Sequence, residues 1–311
     1  MNVLLLFLDG VGIGKNNPDA NPFLVAQLPA LRSLFGGEIP TVRNRFLTGQ
    51  RAVLLPLDAT LGMPGLPQSG TGQTALFTGV NAARVVGRHF GPHPYSTLRP
   101  VIREKSIFRE LLRAGKRPWF ANTFPQRFFD YATQHSARLS VTALSCQYAG
   151  IQLLRAEDLK VGRGVSADIT NAGWRALGYP DIAPIDPGEA GRRLVRMTDA
   201  NDFVLFEFWR TDYAGHSRDM KESVHVLGTF DAMLAGVLDQ LDTRKSLLVI
   251  TSDHGNIEDL TTRTHTRNPV PLILFGHRHS DVARDIQGKS HRMASLCRVT
   301  PSLLRFLTHT D

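Results

Sequence analysis

An apolar run that leads directly into an Asp-His-Gly sequence is the feature that most constrains how this chain can fold. Residues 247–250 are Leu-Leu-Val-Ile, and they are followed by Thr251-Ser252-Asp253-His254-Gly255-Asn256. A short apolar run of this kind is typical of a buried strand, and open α/β sheets place their chemistry at the carboxyl ends of the strands. The pattern therefore predicts a strand that delivers Asp253 and His254, two potential metal ligands, to one edge of a sheet.

Three further apolar runs have an Asp or a His near one end. The runs are residues 3–8, 203–206 and 270–275, and the polar residues near them are Asp9, Asp212, His216 and His265. A single strand-end His is often only a hydrogen-bonded structural residue, but four independent coincidences of this kind are rare. We therefore expect these side chains to converge with Asp253 and His254 on one site.

A turn rich in Ser, Thr and Gly precedes another apolar segment. It reads Pro67-Gln68-Ser69-Gly70-Thr71-Gly72-Gln73 and leads into Thr-Ala-Leu-Phe. Such a turn is typical of a helix N-terminus that presents a hydroxyl and free backbone amides to an anion. It is not a phosphate-binding Walker loop, because Gly70 is followed by Thr71-Gly72 rather than by Lys and Ser or Thr. Thr71 is either an ordinary helix cap or the hydroxyl of the site.

The length and the alternation of elements favour an α/β protein. The chain has 311 residues, of which 42% are hydrophobic, and this suffices for one large domain or two modest ones. Apolar residues at helical spacing predict helices over residues 22–35, 221–242 and 301–307. We predict an α/β/α sandwich with a mostly parallel central sheet.

The segment at residues 88–190 differs in character from the rest, with many turn signals, a predicted helix at 106–114 and a predicted strand at 117–121. We predict that this segment is a smaller, inserted α+β cap domain, and that residues 1–87 and 191–311 form the core domain. The candidates for substrate binding in the cap are Arg88, His89, His93, Arg99 and Arg127.

The composition narrows the classes of ligand. A net charge of +8 fits either nucleic acid or an anionic small molecule, but the sequence has no basic block interleaved with aromatic residues. A small phosphorylated substrate is therefore favoured over nucleic acid. The two cysteines, Cys146 and Cys297, argue against a disulfide framework and against a thiolate zinc site. Any metal must be held by carboxylate, imidazole and hydroxyl groups.

The sequence contains no run long enough to span a membrane. The N-terminal apolar run, residues 3–8, is too short for the core of a signal peptide, lacks a preceding basic segment and stops at Asp9. We therefore expect a cytoplasmic protein with no membrane partner. The oligomeric state does not follow from the sequence.

The candidate ligands are too many for one tetrahedral zinc ion. They are Asp9, Asp212, His216, Asp253, His254 and His265, together with the hydroxyl of Thr71. Such a set divides well between two divalent ions, and its mixture of nitrogen and oxygen suits Mn²⁺, with Zn²⁺ and Mg²⁺ as alternatives. Two cations beside a hydroxyl provide what phosphoryl transfer requires.

These motifs together resemble the metalloenzyme core of the alkaline phosphatase superfamily. The nearest branch is that of cofactor-independent phosphoglycerate mutase and phosphopentomutase, in which a Ser or Thr before a helix is the nucleophile and a cap domain follows. The resemblance implies that Asp212, His216 and His265 hold one metal ion. It implies that Asp9, Thr71, Asp253 and His254 hold the other.

The resemblance implies phosphoryl transfer from a small phosphate monoester through a phosphothreonine at Thr71, assisted by the backbone amides of Thr71 and Gly72. Whether the phosphoryl group then passes to water or returns to the substrate stays open. Where both mutase families carry a Gly-His pair after the nucleophile, this chain has Thr74-Ala75, and its cap is shorter than that of the phosphoglycerate mutases. Mutase and phosphatase activities therefore both remain possible.

Other functional classes are consistent with parts of the pattern. A sulfatase would need a Cys or Ser in a Cys/Ser-x-Pro-x-Arg setting, which neither cysteine has. A phosphodiesterase or nucleotide pyrophosphatase would use the same two metal ions and a Thr nucleophile, and preferential turnover of diesters would reveal it. A catalytically inactive binding protein is the third alternative, although all seven candidate positions carry competent side chains.

Overall fold

The computed structural model describes residues 1–135, 138–289 and 292–308. The strands are β1 (Asn2–Leu8), β2 (Leu47–Thr48), β3 (Ala52–Asp58), β4 (Pro118–Phe120), β5 (Asn122–Thr123), β6 (Val165–Ser166), β7 (Phe203–Phe208), β8 (Ser246–Thr251), β9 (Val270–Gly276) and β10 (Ala294–Ser295). The α-helices are α1 (Pro29–Ser33), α2 (Ser69–Thr78), α3 (Ala82–Val86), α4 (Arg99–Lys105), α5 (Ile107–Arg113), α6 (Gln126–Gln134), α7 (Val141–Ala149), α8 (Ala156–Lys160), α9 (Pro187–Ala200), α10 (Arg210–Ser217), α11 (Met220–Gln240), α12 (His279–Gln287) and α13 (Val299–Thr308). Short 3-10 helices cover Pro22–Leu24, Ser96–Leu98, Ala172–Leu177 and Leu296–Arg298.

One mixed sheet forms the centre of the fold. Its strand order is β10-β3-β9-β8-β1-β7-β4, and β2 pairs with β3. Strands β8, β1, β7 and β4 run parallel to one another, whereas β9 runs antiparallel to both of its neighbours, β8 and β3. Helices pack on the sheet, so the prediction of an α/β fold with a mostly parallel sheet is confirmed.

The three central strands are apolar because both faces of the sheet are covered. Every residue of β1, β7 and β8 is buried, as expected for parallel strands enclosed between helices. In β1 the side chains alternate, so that Leu4 and Leu6 join one hydrophobic cluster and Leu5 and Phe7 join the other. Burial of each such side chain contributes about 1.5–3 kcal/mol to the stability of the fold.

The reversed direction of β9 matters for the site. Because β9 is antiparallel to β8, its amino end lies at the same edge of the sheet as the carboxyl ends of β1, β7 and β8. A bridge between Gly255 and Thr266 continues the pairing beyond the strands. A residue that precedes β9, such as His265, therefore meets residues that follow β1, β7 and β8.

The predicted helices match the structure where no proline interrupts them. The predictions for residues 221–242 and 301–307 correspond to α11 and α13. The single helix predicted over residues 22–35 is wrong, since the structure has a 3-10 turn followed by the short helix α1. Pro29 begins α1, and a proline disfavours the α conformation in the residue before it. Leu28 accordingly has ψ 60° and stands outside the helix.

The segment at residues 88–190 is partly built into the central layers. Strand β4 pairs with β7 in the main sheet, and Ile102, Phe108 and Leu144 belong to one of the two large core clusters. The remainder carries the two-stranded pairing of β5 with β6 and a small cluster that includes Leu159 and Trp174. The division into a core and an inserted cap domain stays a prediction.

None of the helices in the described parts of the chain has the length and apolar composition that would let it cross a membrane.

Candidate active site

The sheet brings the predicted metal ligands together at one edge. Asp9 follows β1, and Asp253 and His254 follow β8. Asp212 and His216 lie one helical turn apart on α10, which follows β7. His265 precedes β9 and reaches the same edge because that strand is reversed. The chain thus delivers all six side chains from four adjacent strands.

The first cluster contains Asp212, His216 and His265, whose candidate ligand atoms lie within 4.8 Å of one another. His216 Nε2 is 3.3 Å from Asp212 Oδ2, and His265 Nε2 is 3.7 Å from Asp212 Oδ1. The two imidazole Nε2 atoms lie 3.2 Å apart. This is the set that the resemblance assigned to one metal ion.

Hydrogen bonds to backbone carbonyls fix the tautomers of these two histidines. His265 Nδ1 lies 2.8 Å from the carbonyl oxygen of Pro67, and His216 Nδ1 lies 3.2 Å from that of Arg263. A carbonyl only accepts, so each neutral ring must carry its proton on Nδ1 and a lone pair on Nε2. Two lone pairs and a carboxylate therefore converge on one point. A cation at that point would satisfy all three groups.

The second cluster contains Asp9 and Asp253 around His254. His254 Nε2 is 3.3 Å from Asp9 Oδ1 and 3.6 Å from Asp253 Oδ2. Both of these carboxylate oxygens are buried without a hydrogen-bond partner. The His254 ring stacks on that of His265, with centroids 3.8 Å apart and planes inclined by 13°, so the two clusters adjoin. Buried acceptors without donors fit a second cation.

Burial and the charges of the second cluster shift the pKa values of its own residues and of the adjoining His265. Burial raises the pKa of Asp253 well above its usual value, and the neighbouring Asp9 adds to the shift. Burial alone would lower the pKa of His254, but the charges of Asp253 and Asp9 outweigh it and raise that pKa to about 10. Burial, followed by repulsion from His254, lowers the pKa of His265 to about 4. Without a cation, Asp253 and His254 therefore hold protons that they would release in water, and a bound cation would take the place of those protons.

The Ser69 hydroxyl contacts a candidate ligand side chain of this cluster. Helix α2 begins at Ser69, with Gln68 as the preceding cap residue, and Ser69 Oγ lies 3.0 Å from His254 Nε2. Ser69 stands in the same Ser/Thr/Gly-rich turn as Thr71 but was not among the residues predicted from the sequence. The signal that could have found it is its position at the start of the helix.

Thr71 lies in the first turn of α2 and is fully buried. Its Oγ1 donates to the carbonyl oxygen of Gln68 at 3.1 Å and accepts from the amide of Phe90 at 3.3 Å. Among the described residues, no hydrogen bond joins the Thr71 hydroxyl to a candidate metal ligand. The expectation of free amides is wrong, because the amide of Thr71 donates to Phe90 and that of Gly72 donates to Gln68.

A strap formed by residues 88–93 covers the N-terminus of α2. The reciprocal bonds between Thr71 and Phe90 hold it there. Gly70 permits the approach, since a Cβ at that position would lie 2.4 Å from the carbonyl oxygen of His93 and 2.7 Å from that of Phe90. The strap thus places the backbone around His89 and His93 beside the helix turn that carries Ser69.

The basic residues predicted to bind substrate are spread over three elements. The Arg88 guanidinium lies 5.8 Å from the ring centroid of Phe90. Burial lowers the pKa of His89 and of His93, which favours neutral rings. Arg99 begins α4 and Arg127 lies on α6 with its side chain exposed. Their role in substrate binding stays a prediction.

A buried carboxylate, Glu258, joins the loops of the site and was missed from the sequence. It accepts hydrogen bonds from the amides of Gly12 and Asn256, each at 2.8 Å, and from Asn268 Nδ2 at 3.0 Å. The hydroxyl of Thr266 donates to Oε1, the oxygen that also accepts from Asn268, whereas the two amides donate to Oε2. These partners lie on the loop after β1, which carries Asp9, and on the connection between β8 and β9, which carries His254 and His265. Glu258 therefore ties these two segments together.

Two amide side chains orient the metal-facing carboxylates. Asn256 Nδ2 donates to Asp212 Oδ1 at 2.6 Å, and Gln73 Nε2 donates to Asp9 Oδ2 at 3.2 Å. Partners of this kind orient metal ligands and tune their affinity. Gln73 belongs to α2, so the helix that carries Ser69 also contacts a ligand of the second cluster.

Comparison with known proteins supports this reading of the motifs. Residues 185–310 match the family model described as the Metalloenzyme superfamily. The 2,3-bisphosphoglycerate-independent phosphoglycerate mutase of Moorella thermoacetica is 30% identical over 140 residues, which cover 41% of this chain and 26% of that protein. The chain spans about a quarter of the length of the curated relatives it matches.

Solved structures share the fold over nearly the whole chain. Leishmania mexicana phosphoglycerate mutase has a TM-score of 0.51 at 13% identity and covers 100% of this chain and 96% of that one. The alkaline phosphatase of the Antarctic bacterium TAB5 has a TM-score of 0.50 at 13% identity, covering 99% and 98%. At such identities the likeness is one of fold. The predicted resemblance to the alkaline phosphatase superfamily is confirmed.

Proposed function

We propose that this chain, whose residues 185–310 match the metalloenzyme superfamily, is a two-metal phosphoryl-transfer enzyme that acts on small phosphate monoesters, with Ser69 as its nucleophile. The observation that carries the proposal is the convergence of the His216 and His265 lone pairs on Asp212, beside a second cluster that the Ser69 hydroxyl contacts. Metal-dependent phosphoryl transfer also accords with the names of the similar proteins, which are mutases and a phosphatase.

The ligands divide between two ions as the resemblance implied, with one exchange. Asp212, His216 and His265 would hold one ion, and Asp9, Asp253 and His254 would hold the other. Ser69 replaces Thr71 in the second set, because its Oγ is the hydroxyl at that cluster. The mixed nitrogen and oxygen donors favour Mn²⁺, with Zn²⁺ and Mg²⁺ as alternatives. When bound, such ions neutralise phosphate charge and lower the pKa of a neighbouring hydroxyl.

The chain itself contributes position and orientation. Helix α2 begins at Ser69, so the helix dipole favours an anionic phosphate beside this hydroxyl. Ser69 Oγ, once it has lost its proton, forms a bond to phosphorus while the bond from phosphorus to the alcohol oxygen breaks. The alcohol leaves with a proton, and a phosphoserine remains at Ser69. The phosphothreonine first expected at Thr71 is replaced by this intermediate.

The fate of the phosphoryl group separates two activities. Attack by water on the phosphoserine releases inorganic phosphate, whereas attack by a second hydroxyl of the retained alcohol yields an isomeric ester. The decisive experiment incubates the Mn²⁺-supplemented protein with monoesters that include 3-phosphoglycerate and ribose 5-phosphate, and follows them by phosphorus NMR. Free phosphate identifies a phosphatase and a moved phosphate identifies a mutase. Faster turnover of diesters than of every monoester would contradict the proposal.

Metal content provides a test that needs no substrate. After equilibration with Mn²⁺ and removal of the excess, we expect two ions per chain by mass spectrometry of the metal. His216→Ala should reduce the content to one, because it removes a ligand of the first cluster alone. His225→Ala, at an exposed position on α11, is the matched control and should retain two. Equal content in both variants would contradict the assignment of His216.

A further inference from the structure

Helix α10 presents two aromatic side chains on the face that carries two metal ligands. Trp209 immediately precedes the helix in an α conformation, and Tyr213 donates its amide to the Trp209 carbonyl. At 100° per residue, Trp209, Asp212, Tyr213 and His216 fall within about 100° of the helix circumference. The opposite face, with Thr211, Ala214 and Gly215, is buried. The aromatic pair therefore lies on the helix face that carries Asp212 and His216.

Both rings are open to solvent. Trp209 is 46% exposed and Tyr213 is 67% exposed. Their centroids lie 6.5 Å apart with planes inclined by 86°, so the two rings form the sides of a right-angled corner. An exposed Trp and Tyr in contact, with polar tips and apolar faces, are typical of recognition surfaces. The packing of α10 does not require their rings, because its buried face consists of small residues.

We propose that Trp209 and Tyr213 form a platform that binds a nucleobase of the substrate, while the phosphate lies at the metal clusters. This inference rests on the proposed function, and it names the substrate class as nucleoside monophosphates. A phosphate at Asp212 and His216 has the platform beside it on the same helix face, one residue away from Asp212 along the chain. In a nucleoside monophosphate the base stands one sugar ring away from the phosphate. A flat ring covers the corner by stacking on one aromatic face and meeting the other ring edgewise.

The corner favours a nucleobase over a sugar for a physical reason. Stacking of a base on an aromatic side chain contributes about 1–3 kcal/mol and requires only a π face. A sugar ring requires several hydrogen bonds to its hydroxyls. The platform residues offer only the indole N–H and the phenol hydroxyl, and the adjacent Arg210 is engaged with Glu222 at 3.5 Å.

The first test uses the metal-free protein and an uncharged probe. Adenosine should quench the fluorescence of Trp209, whereas ribose at the same concentration should not. The quenching should disappear in Trp209→Phe, and in Tyr213→Ala adenosine should bind about tenfold more weakly. Tyr213→Phe retains the ring and should bind adenosine as the unaltered protein does. Equal responses to adenosine and ribose would overturn the platform.

The second test compares two monoesters in the Mn²⁺-loaded protein, adenosine 5′-monophosphate and glycerol 3-phosphate. Tyr213→Ala and Trp209→Ala should raise KM for the nucleotide about tenfold and change KM for glycerol 3-phosphate little. Leu112→Ala is the control, since Leu112 is 41% exposed on α5. Helix α5 leads into β4 and so lies toward the opposite edge of the sheet.

The outcomes separate the platform from the proposed function. An equal rise of KM for both esters would assign the two aromatic residues a general role and overturn the platform. If no ester is turned over but adenosine still binds at Trp209, the platform stands and the phosphoryl-transfer activity fails. If esters are turned over but adenosine does not bind, the activity stands and the platform fails.

Discussion

Ser69 Oγ lies 3.0 Å from His254 Nε2, whereas the hydroxyl of Thr71, two residues later, is bonded to the backbone of Gln68 and Phe90. The two hydroxyls of one helix turn therefore have different surroundings. Ser69 meets the metal cluster, and Thr71 anchors the strap of residues 88–93. The same turn thus provides the proposed nucleophile and the support of the loop beside it.

Replacement of each hydroxyl tests this division. Ser69→Ala should lower turnover of phosphate monoesters by about 10³-fold or more, because it removes the attacking atom. Thr71→Val should keep measurable turnover and lower the free energy of unfolding by about 1–3 kcal/mol, because it leaves the amide of Phe90 without its acceptor. Rapid acid quenching and mass spectrometry should locate the phosphoryl group on Ser69. Phosphate found on Thr71 would contradict the assignment.

Glu258 provides a second prediction, on metal affinity. The carboxylate accepts from the amides of Gly12 and Asn256 and from Asn268. In Glu258→Gln one of the two acceptor oxygens becomes an NH₂ group, which cannot accept from the N–H groups that face it. We expect Mn²⁺ affinity, measured by calorimetry, to fall by about 10–100-fold, as with other residues that orient metal ligands. Asp259→Asn, at the next and less buried position, is the control and should leave the affinity unchanged. Unaltered affinity in Glu258→Gln would show that the loops hold their positions without this carboxylate.

The convergence of the candidate ligands could be predicted because its signal is local. Asp9 and Asp253 directly follow apolar runs that the structure confirms as buried strands. His265 was included on the same pattern, although it precedes its strand and reaches the cluster only because β9 is reversed. Strand direction depends on pairing between distant segments, and nothing near residue 265 encodes it.

The features that sequence reasoning missed depend on tertiary contacts. To choose between Ser69 and Thr71 one must know at which residue α2 begins, and the sequence encodes helix boundaries only weakly. Glu258 looks like an ordinary acidic residue until the loops around Gly12 and Thr266 fold over it. The helix predicted through Pro29 rested on the spacing of apolar residues. That prediction gave too little weight to the conformational restriction that a proline imposes on the residue before it.

Replacement by alanine should have opposite effects on stability at two glycines, because Gly70 lies against the strap and Gly228 does not. Gly70→Ala should lower the free energy of unfolding by about 1–3 kcal/mol, because the new methyl group would lie 2.4 Å from the carbonyl oxygen of His93. Gly228→Ala, in α11, meets no atom within 4 Å and should raise it by about 0.5–1 kcal/mol, since alanine favours the helix. Urea denaturation of the two variants measures both. A stable Gly70→Ala protein would mean that the strap moves freely.

Glu207 predicts how stability depends on pH. Its carboxyl lies between β7 and α7, where the Thr142 hydroxyl donates to it. Burial raises its pKa from 4.5 to about 7, the Thr142 bond opposes the shift, and the charge of Asp9 adds to it. Burial raises the pKa of the Cys146 thiol on α7, and the nearby charge of Glu207 raises it further.

Because the folded pKa of Glu207 exceeds the unfolded one, the folded protein holds this proton more tightly. The stabilisation is fully present below about pH 4.5 and is lost as the pH rises through about 7. At 1.36 kcal/mol per unit, the loss is about 3 kcal/mol. Glu207→Gln cannot titrate and keeps an acceptor for Thr142, so the variant should gain stability relative to the unaltered protein by that amount between pH 4.5 and 7. Urea unfolding with EDTA across this range measures the difference, and a constant difference between the two proteins would show that Glu207 titrates as an ordinary surface carboxyl.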